Sequence, residues 1–167
     1  MNTKKHEEHP HLTGEYRWGD TGQLIILALF LCVWITDSFV FNYSTFLRDV
    51  VPEIVRIPVA GIVLICGWYL ARGGMKAVFR TEREKPEVIS TGVFRIVRHP
   101  IYTGALLFYL GATCITLSIA SAALWLVIVV FYYLISRYEE RILEDTFGED
   151  YAAYKKQTGM LFPKLFR

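Results

Sequence analysis

Two short polar sets interrupt a chain otherwise dominated by apolar blocks: Arg98-His99-Pro100-Ile101-Tyr102 and Arg137-Tyr138-Glu139-Glu140. They supply guanidinium groups, an imidazole, a phenol and paired carboxylates. These are the groups that hold a zwitterion: cations and hydroxyls take its carboxylate, and an acid takes its ammonium. At the mouth of an apolar helix bundle they would suit such a ligand beside a lipid-like second substrate. Each set alone also has a plainer reading. Pro100 is a favoured first helical residue, and basic residues at a helix end are ordinary topology signals. Glu139 and Glu140 near Arg137 and Arg141 could be solvated ion pairs of little energetic weight.

Placing the two sets together is the task of the stretch between them. Ile101 to Ile135 carries no formal charge. It is too long for one crossing of a bilayer core and suits a tight hairpin of two spans, with Thr116 to Ser121 as the turn. A hairpin returns to its starting side, so both polar sets lie close in space. Past Ser136 the fourth helix continues as an amphipathic segment, and Phe147-Gly148 stops it. Tyr151 and Tyr154 are spaced to share one face of a further short helix. Phe162, Pro163, Leu165 and Phe166, with Lys164 and Arg167, read as a terminal segment at the interface.

Upstream, Leu24 to Phe41 is long enough to cross a bilayer core. Asp37 near its far end reads as snorkelling or hydrated, with function the alternative. Pro52 opens a second span centred on Ile57 to Ala71, where Ala60, Gly61 and Gly67 offer faces for close packing. Arg72 is expected to end that span and Gly73-Gly74 to break it. The loop to His99 holds Arg72, Lys76, Arg80, Arg83, Lys85, Arg95 and Arg98, and the chain after Ile135 is also basic. The positive-inside rule then places both termini and the loop in the cytoplasm.

The expected fold is an all-α integral membrane protein with about four transmembrane helices, the last two a hairpin, followed by short cytoplasmic C-terminal helices. Residues 1–20 form a polar tail, 21–72 the first two spans, and 73–167 the catalytic half. With 53% hydrophobic residues and a net charge of +2, the composition argues against nucleic acid as a partner. His6, His9 and His11, with Glu7 and Glu8, read as a solvated tail rather than a metal site, and Tyr16 and Trp18 as interface anchors. Cys32, Cys66 and Cys114 lie in separate apolar blocks without ligand spacing and read as small packing residues. No small-x-small cleavage site follows the first apolar run, so no cleavable leader is expected. The oligomeric state is not legible.

Thr91-Gly92-Val93-Phe94, Arg98-His99-Pro100-x-Tyr102-x-Gly104, Glu139-Glu140 and Phe147-Gly148-x-x-Tyr151-x-x-Tyr154 follow one another in a recognisable order and spacing. From Glu87 to Pro163 the chain resembles the isoprenylcysteine carboxyl methyltransferase family, itself similar to phospholipid N-methyltransferases. The resemblance implies methyl transfer from S-adenosylmethionine, with S-adenosylhomocysteine as product, to a lipophilic small molecule or lipidated substrate among membrane lipids. No Gly-rich dinucleotide turn is needed, and none is present. Carried over by position, the cofactor site takes Glu87, Val88, Ile89, Phe94, His99, Pro100, Ile101, Tyr102 and Glu139. His99 and Tyr102 would hold the methionine carboxylate, Glu139 the ammonium, and Val88, Ile89 and Phe94 would cover the adenine. Arg98, Arg137 and Glu140 are the candidate catalytic residues: Arg98 adds field, Arg137 is the nearest cation for an acceptor, and Glu140 is the alternate acid.

Three positions depart from the family pattern. Phe94 stands where relatives often carry Tyr. Ile135 stands where carboxyl-methylating relatives have an Arg, four residues before the first Glu. The stretch Phe79 to Lys85 has little likeness to the usual cofactor-covering loop. O-methylation of a carboxylate leads the expectation, followed by N-methylation of a phospholipid head group or S-methylation of a thiol. Outside this class stand a membrane reductase with a similar C-terminal helical layout, and a non-catalytic membrane scaffold.

Overall fold

The computed structural model describes residues 19–79 and 87–164. The histidine-rich tail, Tyr16, Trp18, the loop cations Arg80, Arg83 and Lys85, and the last three residues lie outside them. Six α-helices follow one another: α1 (Gly19–Ile35), α2 (Leu47–Val50), α3 (Glu53–Phe79), α4 (Pro100–Thr116), α5 (Ile119–Phe147) and α6 (Glu149–Gln157). A π-helical turn, Thr36–Phe41, extends α1, and a 3-10 turn, Gly92–Arg95, precedes α4. No strand forms among the described residues, but an isolated parallel bridge joins Val97 to Gly159.

Among the described residues, three segments are long and apolar enough to cross a membrane: Thr21–Phe41, Glu53–Phe79 and Ile119–Phe147. Helix α4 is apolar but shorter, at 17 residues. Their outward faces carry large apolar side chains such as Leu24, Ile54, Ile62, Ile65, Leu126 and Leu134, all exposed. In water that surface would be costly; in lipid it is solvated. The chain is an integral membrane protein.

The second long helix departs from expectation. Arg72 does not end α3, and Gly73-Gly74 does not break it; the helix runs on to Phe79. The glycines serve close approach instead. A Cβ on Gly73 would lie 2.6 Å from Val93, and one on Gly74 would lie 2.7 Å from Ile101. Backbone crowding also joins α3 to α4 further along, where a Cβ on Gly104 would lie 2.7 Å from the Gly67 carbonyl oxygen. Small residues let two helix backbones approach where lipid gives no hydrophobic drive. The α3–α4 pair is accordingly the most extensive contact of the fold.

The hairpin forms as expected. Leu117, in the left-handed region at φ 51°, ends α4, and Ser118 caps α5 by accepting from Ser121 N at 3.0 Å. At the far end of α5 the stop falls on Gly148, whose φ of 55° suits a residue without Cβ. Tyr151 and Tyr154 are both buried on one side of α6. All three cysteines are unpaired, Cys32 and Cys66 exposed and Cys114 half-buried.

Asp37 does not snorkel out to solvent. It is buried and accepts from Ser44 N at 3.1 Å, Ser44 Oγ at 2.6 Å and Ser118 Oγ at 2.5 Å. The π-turn lets the chain fold back at Asn42, and the loop behind it then supplies donors that bulk water would otherwise provide.

Candidate active site

The open end of the α4–α5 hairpin gathers Arg98, His99 and Tyr102 against Glu139 and Glu140. Arg98 Nε donates to Glu140 Oε1 at 2.7 Å, with side chains only 7% and 3% exposed. The same guanidinium reaches the carbonyls of Thr158 and Lys155. Lys155 Nζ lies 3.5 Å from Glu140 Oε2 and 2.6 Å from Glu144 Oε1. Glu140 is therefore a charge shared by two cations, and Arg98 ties α5 to the segment after α6.

His99 lies between the two carboxylates. Its Nδ1 is 3.5 Å from Glu139 Oε2, and its Nε2 is 3.5 Å from Glu140 Oε1 without hydrogen-bond geometry, so that buried nitrogen has no hydrogen-bond partner. Burial opposes the imidazolium, but Glu139 and Glu140 outweigh it and raise the pKa above the ordinary histidine value. The Tyr102 ring stacks on His99 at 5.6 Å and donates its hydroxyl to Glu139 Oε1 at 2.5 Å. Tyr132 packs against the other side of the cluster, its ring 5.2 Å from that of Tyr102.

The backbone of this region is held from the C-terminal side. Arg98 N donates to Gly159 O at 2.9 Å, His99 N to Met160 O at 3.2 Å, and Thr103 Oγ1 to Leu161 O at 2.9 Å. Pro100 opens α4, where a missing N–H costs nothing. Glu139 and Glu140 lie within α5, which passes the site without a break.

The candidate residues thus divide. Arg98, His99, Tyr102, Glu139 and Glu140 form one cluster, with Pro100 and Ile101 pressed against Gly74 beside it. Val88, Ile89 and Phe94 pack in a neighbouring apolar group with Leu70, Tyr151 and Tyr154, where Tyr154 Oη donates to Phe94 O at 2.6 Å. Glu87 is exposed at the edge of the described loop. Arg137 does not join the cluster: it is exposed, stacks over Tyr133 at 5.9 Å and donates to that phenol. Ile135, one turn before Glu139, is buried. Lys155 and Tyr132 were missed by sequence reasoning. Tyr132 had a signal, since it precedes Glu139 by two whole turns on the same face. Lys155 had none.

An apolar groove of about 710 Å³ opens beside the cluster, lined from α1, α3, α4 and α5 by residues including Leu27, Trp68, Ile101, Phe108, Tyr109 and Tyr132. Ile101 and Tyr132 belong to its wall and also border the charged site.

The fold and site define a helical integral membrane protein with a buried, charge-rich cluster next to an apolar groove. The family model for phospholipid methyltransferase matches residues 56–150, more than half of the chain, and the chain belongs to that family. It is 37% identical over 82 residues to a methanethiol S-methyltransferase of a Pseudomonas species, covering 48% of this chain and 30% of the relative. It is 33% identical over 90 residues to the cobalt-zinc-cadmium resistance protein CzcN of Cupriavidus metallidurans, covering 53% and 41%. It is 33% identical over 76 residues to protein-S-isoprenylcysteine O-methyltransferase B of Arabidopsis thaliana, covering 44% and 38%. The matched stretch therefore takes in less than half the length of each of these relatives. No solved structure shows significant similarity to the chain.

Proposed function

We propose that the protein is an S-adenosylmethionine-dependent methyltransferase acting at the membrane on a small lipophilic acceptor. The observation that carries this reading is His99, buried between Glu139 and Glu140 and next to Tyr102, with its Nε2 unsatisfied. A buried donor without a partner fits a ligand carboxylate, and the acid beside it fits an ammonium. When bound, S-adenosylmethionine supplies an electrophilic methyl group on a sulfonium. His99 and Tyr102 would take its carboxylate and Glu139 its ammonium, while Arg98 and Glu140 hold the frame. Alignment and exclusion of water then carry the rate, because transfer from a sulfonium disperses charge. Isothermal calorimetry with S-adenosylhomocysteine on detergent-purified protein tests this: binding that depends on His99 and Glu139 supports it, and no binding overturns it.

The groove takes the lipophilic part of the acceptor, and a thiol is the acceptor group it favours. Arg98 and Lys155 are tied to Glu140, Arg137 faces Tyr133, and Ile135 is buried where a carboxylate-holding cation would be needed. A thiol binds neutral in an apolar groove and so needs no cation to hold it there. As its sulfur bonds the methyl carbon, the methyl–sulfonium bond of the donor breaks and the thiol proton passes to solvent. The relatives named methanethiol S-methyltransferase act on a thiol by name, which agrees. A second reading, O-methylation of a carboxylate, is favoured by the Arabidopsis relative. Assaying an alkyl thiol and a prenylcysteine analogue side by side separates them. The thiol reading expects turnover of the thiol alone, and gain of the carboxylate substrate in Ile135→Arg. Turnover of the prenylcysteine by the unaltered protein overturns it.

In the topology belonging to this reading, α4 is the third and shortest of four spans, and both termini and the site face the cytoplasm. Arg72, Lys76 and Arg95 on the site side support that orientation.

A further inference from the structure

At the opposite end of the hairpin lies a second buried polar cluster that the proposed reaction does not use. Two of its residues carry charge. Arg56, on α3, is 8% exposed; it donates to Ile115 O at the C-terminal end of α4 and to Glu53 Oε1 at 2.5 Å. Asp37, from the π-turn after α1, holds Ser118 and Ser44 at the N-terminal end of α5. Ser44 in turn satisfies that helix end in trans: its carbonyl accepts from Ile119 N at 3.2 Å and its Oγ from Ala120 N at 3.0 Å. Ser38 Oγ and Trp34 Nε1 both donate to Thr116 Oγ1, at 2.9 and 3.0 Å. A cation thus meets the carbonyl end of α4 and an anion the amide end of α5, each with the sign that the helix dipole favours.

We propose that this apex is the register stop of the hairpin. Asp37 and Arg56 are positioning residues that fix how far α5 sits along α4, and so place Glu139 and Glu140 opposite His99 and Tyr102. The role rests on the reading of that site given above. The packing requires such a stop. Helix α4 is seated on α3 through backbone-close glycines, whereas α5 touches α4 far less and leans equally on α1. Between apex and site, α4 and α5 are joined by side-chain hydrogen bonds from Trp125 Nε1 to Leu106 O at 2.9 Å and between the Tyr109 and Tyr132 hydroxyls. A slide of one residue moves a helix by about 1.5 Å and a register step turns it by about 100°. Either would part Tyr102 Oη from Glu139, now 2.5 Å away. The apex ties α4 to α3 through Arg56 and α5 to α1 through Asp37, which removes that freedom.

The test is a distance measured by double electron–electron resonance. Spin labels go on Ile96→Cys and Leu134→Cys, both exposed and neither in the site, with Cys32, Cys66 and Cys114 replaced by Ser. With the native apex the distribution is single and narrow. In Asp37→Ala and Arg56→Ala it broadens, or its mean moves by one or two helical rises, about 1.5–3 Å. Asp37→Asn, which keeps an acceptor oxygen, restores the native mean. Ser44→Ala removes only the hydroxyl; it gives a smaller shift of the same kind and decides the matter if the charge variants do not fold. Unchanged distributions in the variants that fold overturn the proposal, even where their unfolding temperature falls. A parallel titration with S-adenosylhomocysteine keeps the two readings apart. Failure of the unaltered protein to bind overturns the methyltransferase reading and leaves the distance result to stand.

Discussion

The two ends of the α4–α5 hairpin are both buried and both polar, yet they are built to different needs. At the apex each contact with a helix terminus can be assigned to a group left unpaired there: Arg56 answers a terminal carbonyl of α4, and Ser44 and Ser118 answer the first amides of α5. At the other end α5 does not terminate. Glu139 and Glu140 sit inside a continuous helix whose backbone needs no partner, and they still gather Arg98, His99, Tyr102 and Lys155. Charge at a helix end is explained by the helix. Charge at mid-helix, around a buried imidazole nitrogen that makes no hydrogen bond, calls for a ligand.

The comparison breaks first at Arg98. If Arg98 and Glu140 are the frame of the site, removing Glu140 leaves Arg98 a buried guanidinium with carbonyl partners alone, which costs about 3–5 kcal/mol. Removing Arg98 leaves Glu140 with only the longer contacts to Lys155 and His99. Arg98→Ala and Glu140→Ala should each lower the unfolding temperature in detergent substantially, and replacing both by apolar residues of similar volume should cost much less. If single and double replacements are equally mild, the pair is not a buried frame.

His99 and Glu139 should show the opposite balance. A hydrogen bond to a charged group contributes about 1.5–3 kcal/mol, roughly ten- to a hundredfold in affinity. His99→Ala and Glu139→Gln should lose that much S-adenosylhomocysteine affinity, with a smaller change in stability than at Arg98. The pH dependence has a definite sign. The folded pKa of His99 is raised by Glu139 and Glu140 against the opposing effect of burial. Its imidazolium therefore stabilises the fold fully below the unfolded value of about 6.5, and that contribution is lost as pH rises through the folded value. Glu139 and Glu140 on α5 and Lys155 on α6 face the same space, so His99→Gln is the control that should abolish the trend. A thermal-shift series across neutral pH reads it directly.

A step further down, Gly104 tests whether the close α3–α4 seat matters to the site. An added Cβ would lie 2.7 Å from Gly67 O and 2.9 Å from Ala71 N, both backbone atoms that cannot swing aside. Gly104→Ala should cost about 1–3 kcal/mol, as overpacking does. Because Gly104 is less than a turn from Tyr102, weaker cofactor affinity should accompany the loss. An unaltered melting temperature would mean that the helices part easily, and the contrast between a seated α4 and a lightly held α5 would fail.

Patterns that depend on local chemistry were legible in the chain. The charge-free block predicted the hairpin, Leu117 and Ser118 fall inside the expected turn, and Phe147-Gly148 ends α5 as read. Gly73-Gly74 misled because a glycine pair marks a helix break and a close backbone approach equally well, and only the position of Val93 and Ile101 decides between them. Asp37 misled because its partners, Ser44 and Ser118, come from two distant turns and share no periodicity with it. The clustering of His99 and Tyr102 with Glu139 and Glu140 followed from topology alone. The role of Lys155, and the separation of Arg137 from that cluster, depended on side-chain direction, which sequence spacing does not carry.

Arg137 gives the smallest expected effect and the sharpest discrimination. On spacing alone it was the cation nearest the Ile135 position, and an acceptor carboxylate would have to be held by it. Two residues before Glu139, however, is about 200° around a helix, so the two side chains leave α5 on opposite faces. The fold agrees, with Arg137 exposed over Tyr133 while Glu139 meets Tyr102. An exposed stack of this kind contributes about 0.5–1 kcal/mol at most. Arg137→Ala should therefore leave S-adenosylhomocysteine affinity unchanged and shift the melting temperature barely, in contrast to Arg98 on the buried side. If turnover of a carboxylate acceptor falls in Arg137→Ala while cofactor affinity holds, the residue reaches the acceptor after all, and the thiol reading gives way to the carboxylate one.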